Sequence, residues 1–249
     1  MSRRRFTLIK YYLLYEWERI NPLLLGVIIG IVSITYLIDS WSMELLIFPI
    51  ETFNKADFIK EFVKIKPPPY MRIVFPLQIA TVGLLSMIWI TSFRSKSIIT
   101  VSTTYLSKNI IFIMKFFISL TIFYITLLIP IVIDTSLIST KLDPIFINMV
   151  SIVPITLHYI CLGTFLSIIF KNEVFVFLGI YLLDEFLIRV DSLTNMTFLS
   201  GYSVSREILT NLIFSGASNP LSLFFWVILI VSVFLLSYEF FLKMEVGIL

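Results

Sequence analysis

Long apolar stretches separated by short polar segments form the dominant pattern of this chain. A helix that crosses a membrane needs about 20 mainly apolar residues. Six stretches approach or exceed that length, at 22–38, 72–92, 112–133, 145–170, 174–190 and 221–242. Strands of a membrane β-barrel alternate in polarity, whereas these stretches are continuously apolar. The pattern therefore predicts an all-α, polytopic membrane protein with six transmembrane helices in one domain, 1–249.

Three of the predicted spans are preceded by the same local signal. Asn21-Pro22, Asp143-Pro144 and Asn219-Pro220 each place a side-chain acceptor just before a proline. The acceptor can bond an amide of the first helical turn, and a proline at the first helical position has no amide to leave unpaired. These pairs predict helix starts at 22, 144 and 220.

The N-terminal segment has its own apolar spacing. Its apolar residues recur at helical intervals, at Phe6, Ile9, Leu13, Trp17 and Ile20. One interpretation is an interfacial helix over 5–20 that lies on the membrane surface before the first span. The other is a simple cytoplasmic extension of that span, and periodicity alone favours neither.

Composition agrees with a membrane protein and excludes several kinds of site. The chain is 58% hydrophobic and 14% charged, with a mean hydropathy of +0.98, whereas soluble domains carry roughly 25% charged residues. A net charge of +3 gives no reason to expect nucleic acid as a partner. With one cysteine and one histidine, the chain has neither an internal disulfide nor a site of several thiolates.

The distribution of Lys and Arg predicts the orientation. One side of the membrane would hold 1–21, 93–111, 171–173 and the C-terminal tail; with Lys115 just inside span three and Glu239 at the end of span six, it has 11 bases against 5 acids. The other side would hold 39–71, 134–144 and 191–218; with Arg72 and Arg189 at helix ends, it has 8 bases against 9 acids. Because basic loops stay inside, we expect a multi-pass protein of the cell membrane with both termini in the cytoplasm, and 191–218 as a partly buried outer loop.

A polar strip interrupts the apolar pattern between the second and third spans. The sequence TSFRSKSIITVSTTYLSKN, 91–109, carries eight Ser or Thr residues between Ser92 and Ser107 and the bases Arg94, Lys96 and Lys108, but no acid. It is predicted to be the first cytoplasmic loop. It is either a solvated turn or a short surface helix that docks on a soluble partner.

This layout resembles the permease subunits of type-2 ATP-binding-cassette transporters. In the strip and the entry to span three, Thr100, Leu106, Lys108 and Met114-Lys115-Phe116 lie where that family has similar residues. The family's usual acid is absent, and Arg94 or Lys96 lies near its place. The exit from span six, SYEFFLKMEV, is also similar to the family's aromatic-then-charged ending.

The resemblance implies one subunit of an ATP-driven transporter. The strip would be the segment that couples to the ATPase, through Arg94, Lys96, Thr100, Thr104, Leu106 and Lys108. No G-x-x-x-x-G-K-[ST] motif occurs, so ATP and Mg²⁺ would belong to a separate ATPase subunit, and this chain would be neither an enzyme nor a cofactor carrier. A second permease subunit and membrane lipid complete the expected partners. We expect an exporter of an apolar or amphipathic substrate.

Four ionisable residues within the spans are further candidates: His158, Asp184, Glu185 and Arg189. An acid near the centre of a span costs roughly 2.5–3.5 kcal/mol and should face protein or water. Arg189 follows Glu185 by four residues, a spacing that favours an ion pair. The alternative is a polar lining of the substrate path. For His158 we expect a hydrogen bond to a neighbouring hydroxyl rather than a proton relay.

A different class of protein also fits part of this pattern. Asp184-Glu185-x-x-x-Arg189 resembles the Glu-Glu-x-x-x-Arg motif of intramembrane CAAX-type metalloproteases. That family needs histidines after the motif, whereas His158 precedes it, and a zinc site generally needs three protein ligands. The alternative to a permease is therefore a polytopic membrane enzyme or an accessory subunit of a larger membrane complex.

Overall fold

The computed structural model describes residues 3–47, 74–95, 106–138, 149–150, 152–194, 204 and 220–244. Every secondary-structure element in these ranges is helical, so the all-α prediction is confirmed for the part of the chain that the structure describes. The helices are α1 (Arg3–Arg19), α2 (Pro22–Ile47), α3 (Val74–Arg94), α4 (Lys108–Ile138), α5 (Val153–Phe170), α6 (Glu173–Thr194) and α7 (Pro220–Lys243). Most of the predicted loops 39–71 and 191–218 lies outside the described residues.

Several of these helices are long and apolar enough to span a membrane. Within the described ranges, four pass on length and composition: Val74–Arg94, Lys108–Ile133, Val153–Phe170 and Leu223–Lys243. A fifth span is reached if Thr7–Arg19 and Pro22–Ile38, which meet at a 69° bend, count as one. The structure thus contains four to five candidate spans, where the sequence predicts six.

Two of the helix starts coincide with the Asn-Pro positions. α2 begins at Pro22, and the Asn21 side-chain oxygen accepts the amides of Leu23 at 3.0 Å and Leu24 at 3.3 Å. α7 begins at Pro220. Asp143-Pro144 lies outside the described residues. In each described case the proline occupies a position where a missing amide costs nothing.

The connection between α5 and α6 is a tight reversal. Lys171 adopts a left-handed conformation with φ of 52°, and its amide donates to the carbonyl of Ser167 at 3.1 Å. The side chain of Asn172 then accepts the amide of Val174 at 2.9 Å, capping α6. This closes one helix and opens the next within three residues, so α5 and α6 run antiparallel as packed neighbours.

The core is centred on α5, which packs against α3, α4, α6 and α7. Gly163 permits the closest of these approaches, because a Cβ added there would lie 2.2 Å from Leu85 Cδ1. Near the other end of α3, Trp89 is fully buried, with its ring 5.6 Å from Phe112 and 5.8 Å from Phe241. The most apolar stretch of α5 is 72% buried, whereas that of α7 is 17% buried.

A π-helical turn interrupts α3 at Ser86–Ile90. The turn widens the helix, and both the amide and the hydroxyl of Thr91 donate to the carbonyl of Ser86. The Ile88 carbonyl accepts hydrogen bonds from the Ser92 hydroxyl and the Lys115 ammonium group, each at 2.7 Å. Such turns are rare and frequently lie at functional sites.

α1 turns only part of the predicted apolar stripe toward the bundle. Tyr12, Glu16 and Ile20 are buried, while Trp17 is 61% exposed and Leu13 is also exposed. The apolar residues Leu13 and Trp17 therefore point away from the protein, and a carboxylate points into it. The physical reason is a buried ion pair between Glu16 and Lys115 of α4. The spacing of apolar residues alone does not reveal it.

Candidate functional site

One buried polar cluster joins α3, α5 and α6, and we call it the aspartate cluster: Gln78, His158, Tyr159 and Asp184. Asp184 is 1% exposed. Its Oδ2 accepts hydrogen bonds from Gln78 Nε2 at 2.9 Å and from the Tyr159 hydroxyl at 2.7 Å. Its Oδ1 lies 3.0 Å from His158 Nε2. One carboxylate thus holds three helices together.

The helical rise places this cluster far from the helix ends. Asp184 follows Glu173, the first residue of α6, by eleven positions, and His158 precedes Phe170, the last residue of α5, by twelve. At 1.5 Å per residue, both lie about 16–18 Å from the α5–α6 turn. If the α5–α6 turn lies at the edge of a hydrocarbon core about 30 Å thick, this distance is about half of that thickness.

Burial of the Asp184 carboxylate costs free energy, and the hydrogen bonding of the aspartate cluster is incomplete. A buried carboxylate must be paired or hydrogen-bonded, because its transfer out of water is costly. Three neighbours meet that need for Asp184. Yet among the described residues, the buried atoms His158 Nδ1 and Gln78 Oε1 have no hydrogen-bond partner.

The sequence identified two members of this cluster but not their contact. His158 bonds a carboxylate, where the sequence led us to expect a hydroxyl. Glu185 is half-buried and has an interaction of its own. The side chain of Arg189 lies outside the described residues, so the Glu185–Arg189 pair stays a prediction. Gln78 was missed, although a lone amide in an otherwise apolar span is a signal that could have found it.

A second buried cluster, the lysine cluster, consists of Glu16, Arg19, Ser92 and Lys115. Lys115 on α4 is fully buried. Its ammonium group donates to Glu16 Oε2, to Ser92 Oγ and to the carbonyl of Ile88, each at 2.7 Å. The ammonium has three hydrogens, so all of its donors are used. The π-helical turn supplies one of the three acceptors.

Arg19 extends the lysine cluster toward the polar strip. Its guanidinium donates to Ser92 Oγ at 3.2 Å and to Ser95 Oγ at 3.3 Å, and it lies 4.0 Å from Glu16 Oε1. α1 is therefore bonded to the first residues of the strip 91–109. The sequence showed Lys115 as a base just inside span three and as part of the family resemblance, but it did not connect Glu16 with it.

The two ends of the strip are also bonded to other helices. At the first end, Arg94 forms an ion pair with Glu173, which also accepts the hydroxyl of Ser86 at 3.0 Å. At the second end, Lys108 donates to the carbonyls of Leu242 at 3.2 Å and Met244 at 2.5 Å. A cation at the last carbonyls of α7 satisfies unpaired acceptors and favours the helix dipole.

Of the six predicted coupling residues, the structure places three. Arg94 and Lys108 make the contacts given above, and Leu106 is buried. Lys96, Thr100 and Thr104 lie outside the described residues. The strip is thus described at both of its ends and not in its middle.

The charge of Arg94 changes the acidity of its partner. Partial burial alone would raise the pKa of Glu173, but hydrogen bonds from its own backbone amide, from Ser86 and from Arg94, together with the positive charge of Arg94, hold the pKa of this carboxyl below its ordinary value. Glu173 therefore stays ionised, and the contact between α3 and the start of α6 stays an ion pair, through the neutral pH range.

The metalloprotease motif finds no zinc-binding geometry in the residues that the structure describes. Within these residues, no group of three or more His, Cys, Asp or Glu side chains lies close enough to hold a metal ion. Asp184 and His158 meet, but as a pair with an amide and a phenol. This arrangement can hold the charge of the Asp184 carboxylate, and the His158 imidazole can carry a proton.

Comparisons with known proteins identify no family for this chain. No protein-family model matches it, and neither the curated proteins nor the solved structures give a match.

Proposed function

We propose that this chain is the membrane-spanning permease subunit of an ATP-driven transporter, of the type-2 ATP-binding-cassette kind. It crosses the cell membrane six times with both termini in the cytoplasm. A separate ATPase binds ATP and Mg²⁺ and docks on the strip 91–109. The transporter is an exporter that moves an apolar or amphipathic substrate.

The observation that carries the proposal is the bonding of both ends of the strip. Arg19 links its start to α1, Arg94 links it to α6, and Lys108 links its end to α7. A solvated turn would need none of these contacts. A segment that receives force from a partner needs such contacts, because they convert its displacement into movement of three helices.

These contacts also give the force a route into the membrane. Glu173, the partner of Arg94, is the first residue of α6, and the same helix carries Asp184. A helix is stiff over eleven residues, so a shift at Glu173 displaces the buried contacts of Asp184 with α3 and α5. α6 thus forms a continuous connection between the strip and the aspartate cluster.

Charge and helix angle support the orientation and the interfacial helix. The contacts at the strip bring several helix ends to one end of the bundle. Five basic residues lie at or beside these helix ends: Arg19, Arg94, Lys108, Lys171 and Lys243. Basic residues favour the cytoplasmic side. The 69° bend between the N-terminal helix and the next, with aromatic and leucine side chains facing outward, suits a helix lying in the membrane interface.

The outer surface of α7 supports an assembly of two permease subunits in lipid. Its most apolar stretch is only 17% buried, and large apolar side chains cover its free face. Lipid or a second permease subunit suits such a face. With two permease subunits, the two strips would receive a dimeric ATPase.

The experiment is purification of the tagged chain from its own host's membranes, followed by ATPase measurement in liposomes. We expect a co-purified soluble subunit with a P-loop and ATP hydrolysis that vanadate inhibits. Changing both Thr100 and Thr104 to Asp should remove that subunit and the hydrolysis, because two acids enter the docking contact. Membrane insertion should persist, since acids contribute little to topology.

The matched control places the same chemistry on the opposite side. Changing Thr197 and Thr210 to Asp adds two acids to the predicted outer segment and should leave co-purification and hydrolysis intact. Full coupled hydrolysis in the Thr100/Thr104 double variant would overturn the docking role of the strip. Absence of any P-loop subunit from the wild-type preparation would overturn the transporter proposal as a whole.

A further inference from the structure

Two acceptors in the aspartate cluster lack a hydrogen-bond donor. A carboxylate only accepts hydrogen bonds, so His158 Nε2 must carry the hydrogen that faces Asp184 Oδ1. In a neutral imidazole, Nδ1 is then an acceptor. Among the described residues, that acceptor and Gln78 Oε1 have no donor. The cluster therefore has two buried acceptors without a hydrogen.

One added proton changes this count. On Nδ1 it turns an acceptor into a donor, so the cluster has one spare donor and one spare acceptor in place of two spare acceptors. His158 and Gln78 already bond the same carboxylate, which keeps the new donor and the remaining acceptor within one cluster. The added hydrogen removes one of the two unpaired acceptors and adds a donor that can bond the other, and unpaired buried polar atoms are costly.

The charge of the cluster leads to the same conclusion independently. With neutral His158, the cluster carries the single negative charge of Asp184. Both side chains are 1% exposed and lie about 16–18 Å from the α5–α6 turn. A proton on the imidazole brings the net charge to zero, and a paired charge in a membrane is far less costly than an isolated one.

We propose that the aspartate cluster is an intramembrane proton-binding site. One proton of a hydronium ion binds the lone pair of His158 Nδ1, its O–H bond breaks to leave water, and the Nε2 hydrogen stays bonded to the carboxylate of Asp184. No electron moves and no bond other than N–H forms, and the cluster passes from a charge of −1 to zero. The site does not depend on the ATPase partner. Its protonation changes the net charge of the contact that joins α6 to α3 and α5.

The surroundings contain few groups that could take over this role. α3 has no titratable residue between Val74 and Phe93. On α5, Tyr159 bonds Asp184 and Cys161 is buried. α6 itself also carries Glu173, Tyr181, Glu185, Arg189 and Asp191, and α7, which packs against α5 as well, carries Tyr238, Glu239 and Lys243. On α4, Tyr124 bonds the carbonyl of Met149, and Lys115 is held by Glu16.

A single histidine makes the test direct. Full-length protein with a histidine-free affinity tag is labelled with ¹⁵N-histidine, reconstituted in lipid bilayers and measured by solid-state ¹⁵N NMR from about pH 5 to about pH 9. The chain has one histidine, so both ring nitrogen signals belong to His158. We expect one protonation step, with both nitrogens protonated at its acidic end. Asp184→Asn should move the midpoint about tenfold or more in proton concentration.

A merely structural cluster would respond differently. Asp184→Asn would then lower thermal stability and leave the midpoint unchanged, and that result overturns the proposal, as does an imidazole that stays in one state across the range. If Asp184→Asn does not fold, Gln78→Met replaces it, because it removes a donor from the same carboxylate. The control is Glu239→Gln, an exposed member of a surface ion pair, which should not move the midpoint.

Discussion

Replacement of Lys115 by Met tests whether the buried ion pair holds α1 to the bundle. The substitution keeps the length and apolar stem of the side chain. It removes the ammonium group that Glu16, Ser92 and the Ile88 carbonyl share at 2.7 Å. Glu16 is 4% exposed, so its carboxylate remains as a buried charge without its closest partner.

The structure sets the size of the effect. Removing one member of a buried pair typically costs about 3–5 kcal/mol. Arg19 lies 4.0 Å from Glu16 and can compensate in part, so we expect about 3 kcal/mol. Replacing both residues, Glu16→Gln with Lys115→Met, removes both charges and should cost about 1 kcal/mol or less. The coupling energy between the two positions is then about 2 kcal/mol or more.

The assay is unfolding in lipid nanodiscs, followed by tryptophan fluorescence. For a chain of this size, about 3 kcal/mol corresponds to a fall of roughly 6–12 °C in Tm. Lys243→Met is the matched control, since its pair with Glu239 is 76% and 63% exposed and such pairs contribute little. If Lys115→Met unfolds like the control, or if the double variant is no more stable than the single one, the reasoning is refuted.

Three further predictions follow from other parts of the molecule. Gly163→Ala should lower stability by about 1–3 kcal/mol in the same assay, because the added methyl overlaps α3; an unchanged Tm would contradict the close packing. The lowered pKa of Glu173 means that its ion pair stabilises the protein above its ordinary pKa of 4.5 and is lost as pH falls through the lower folded value; the Tm difference between wild type and Arg94→Ala should therefore be largest near neutral pH and shrink below about pH 4.5. In a cysteine-free background, Ser97→Cys should resist an impermeant thiol reagent in intact cells while Thr52→Cys reacts, and the opposite pattern would reverse the orientation.

The sequence by itself determined the helical class and much of the placement of the helices along the chain. Continuous apolar runs have no solution in a membrane other than helices whose backbone bonds are internal. The starts of α2 and α7 coincide with Asn-Pro signals, since capping depends on neighbours in sequence. The positions of the intramembrane acids and of the polar strip were equally visible, because a polar residue in an apolar run is conspicuous without any structure.

Only the tertiary structure decided which polar residues meet. Asp184 and Gln78 are 106 positions apart, and Lys115 and Glu16 are 99 apart. Helices that are apolar on nearly all sides carry no stripe from which their rotation can be read, so the sequence does not say which face of α6 turns inward. On α1 the apolar stripe does not reveal that Glu16 is buried. Packing around α5 sets the aspartate cluster, and the contacts of α1 with α3 and α4 set the lysine cluster.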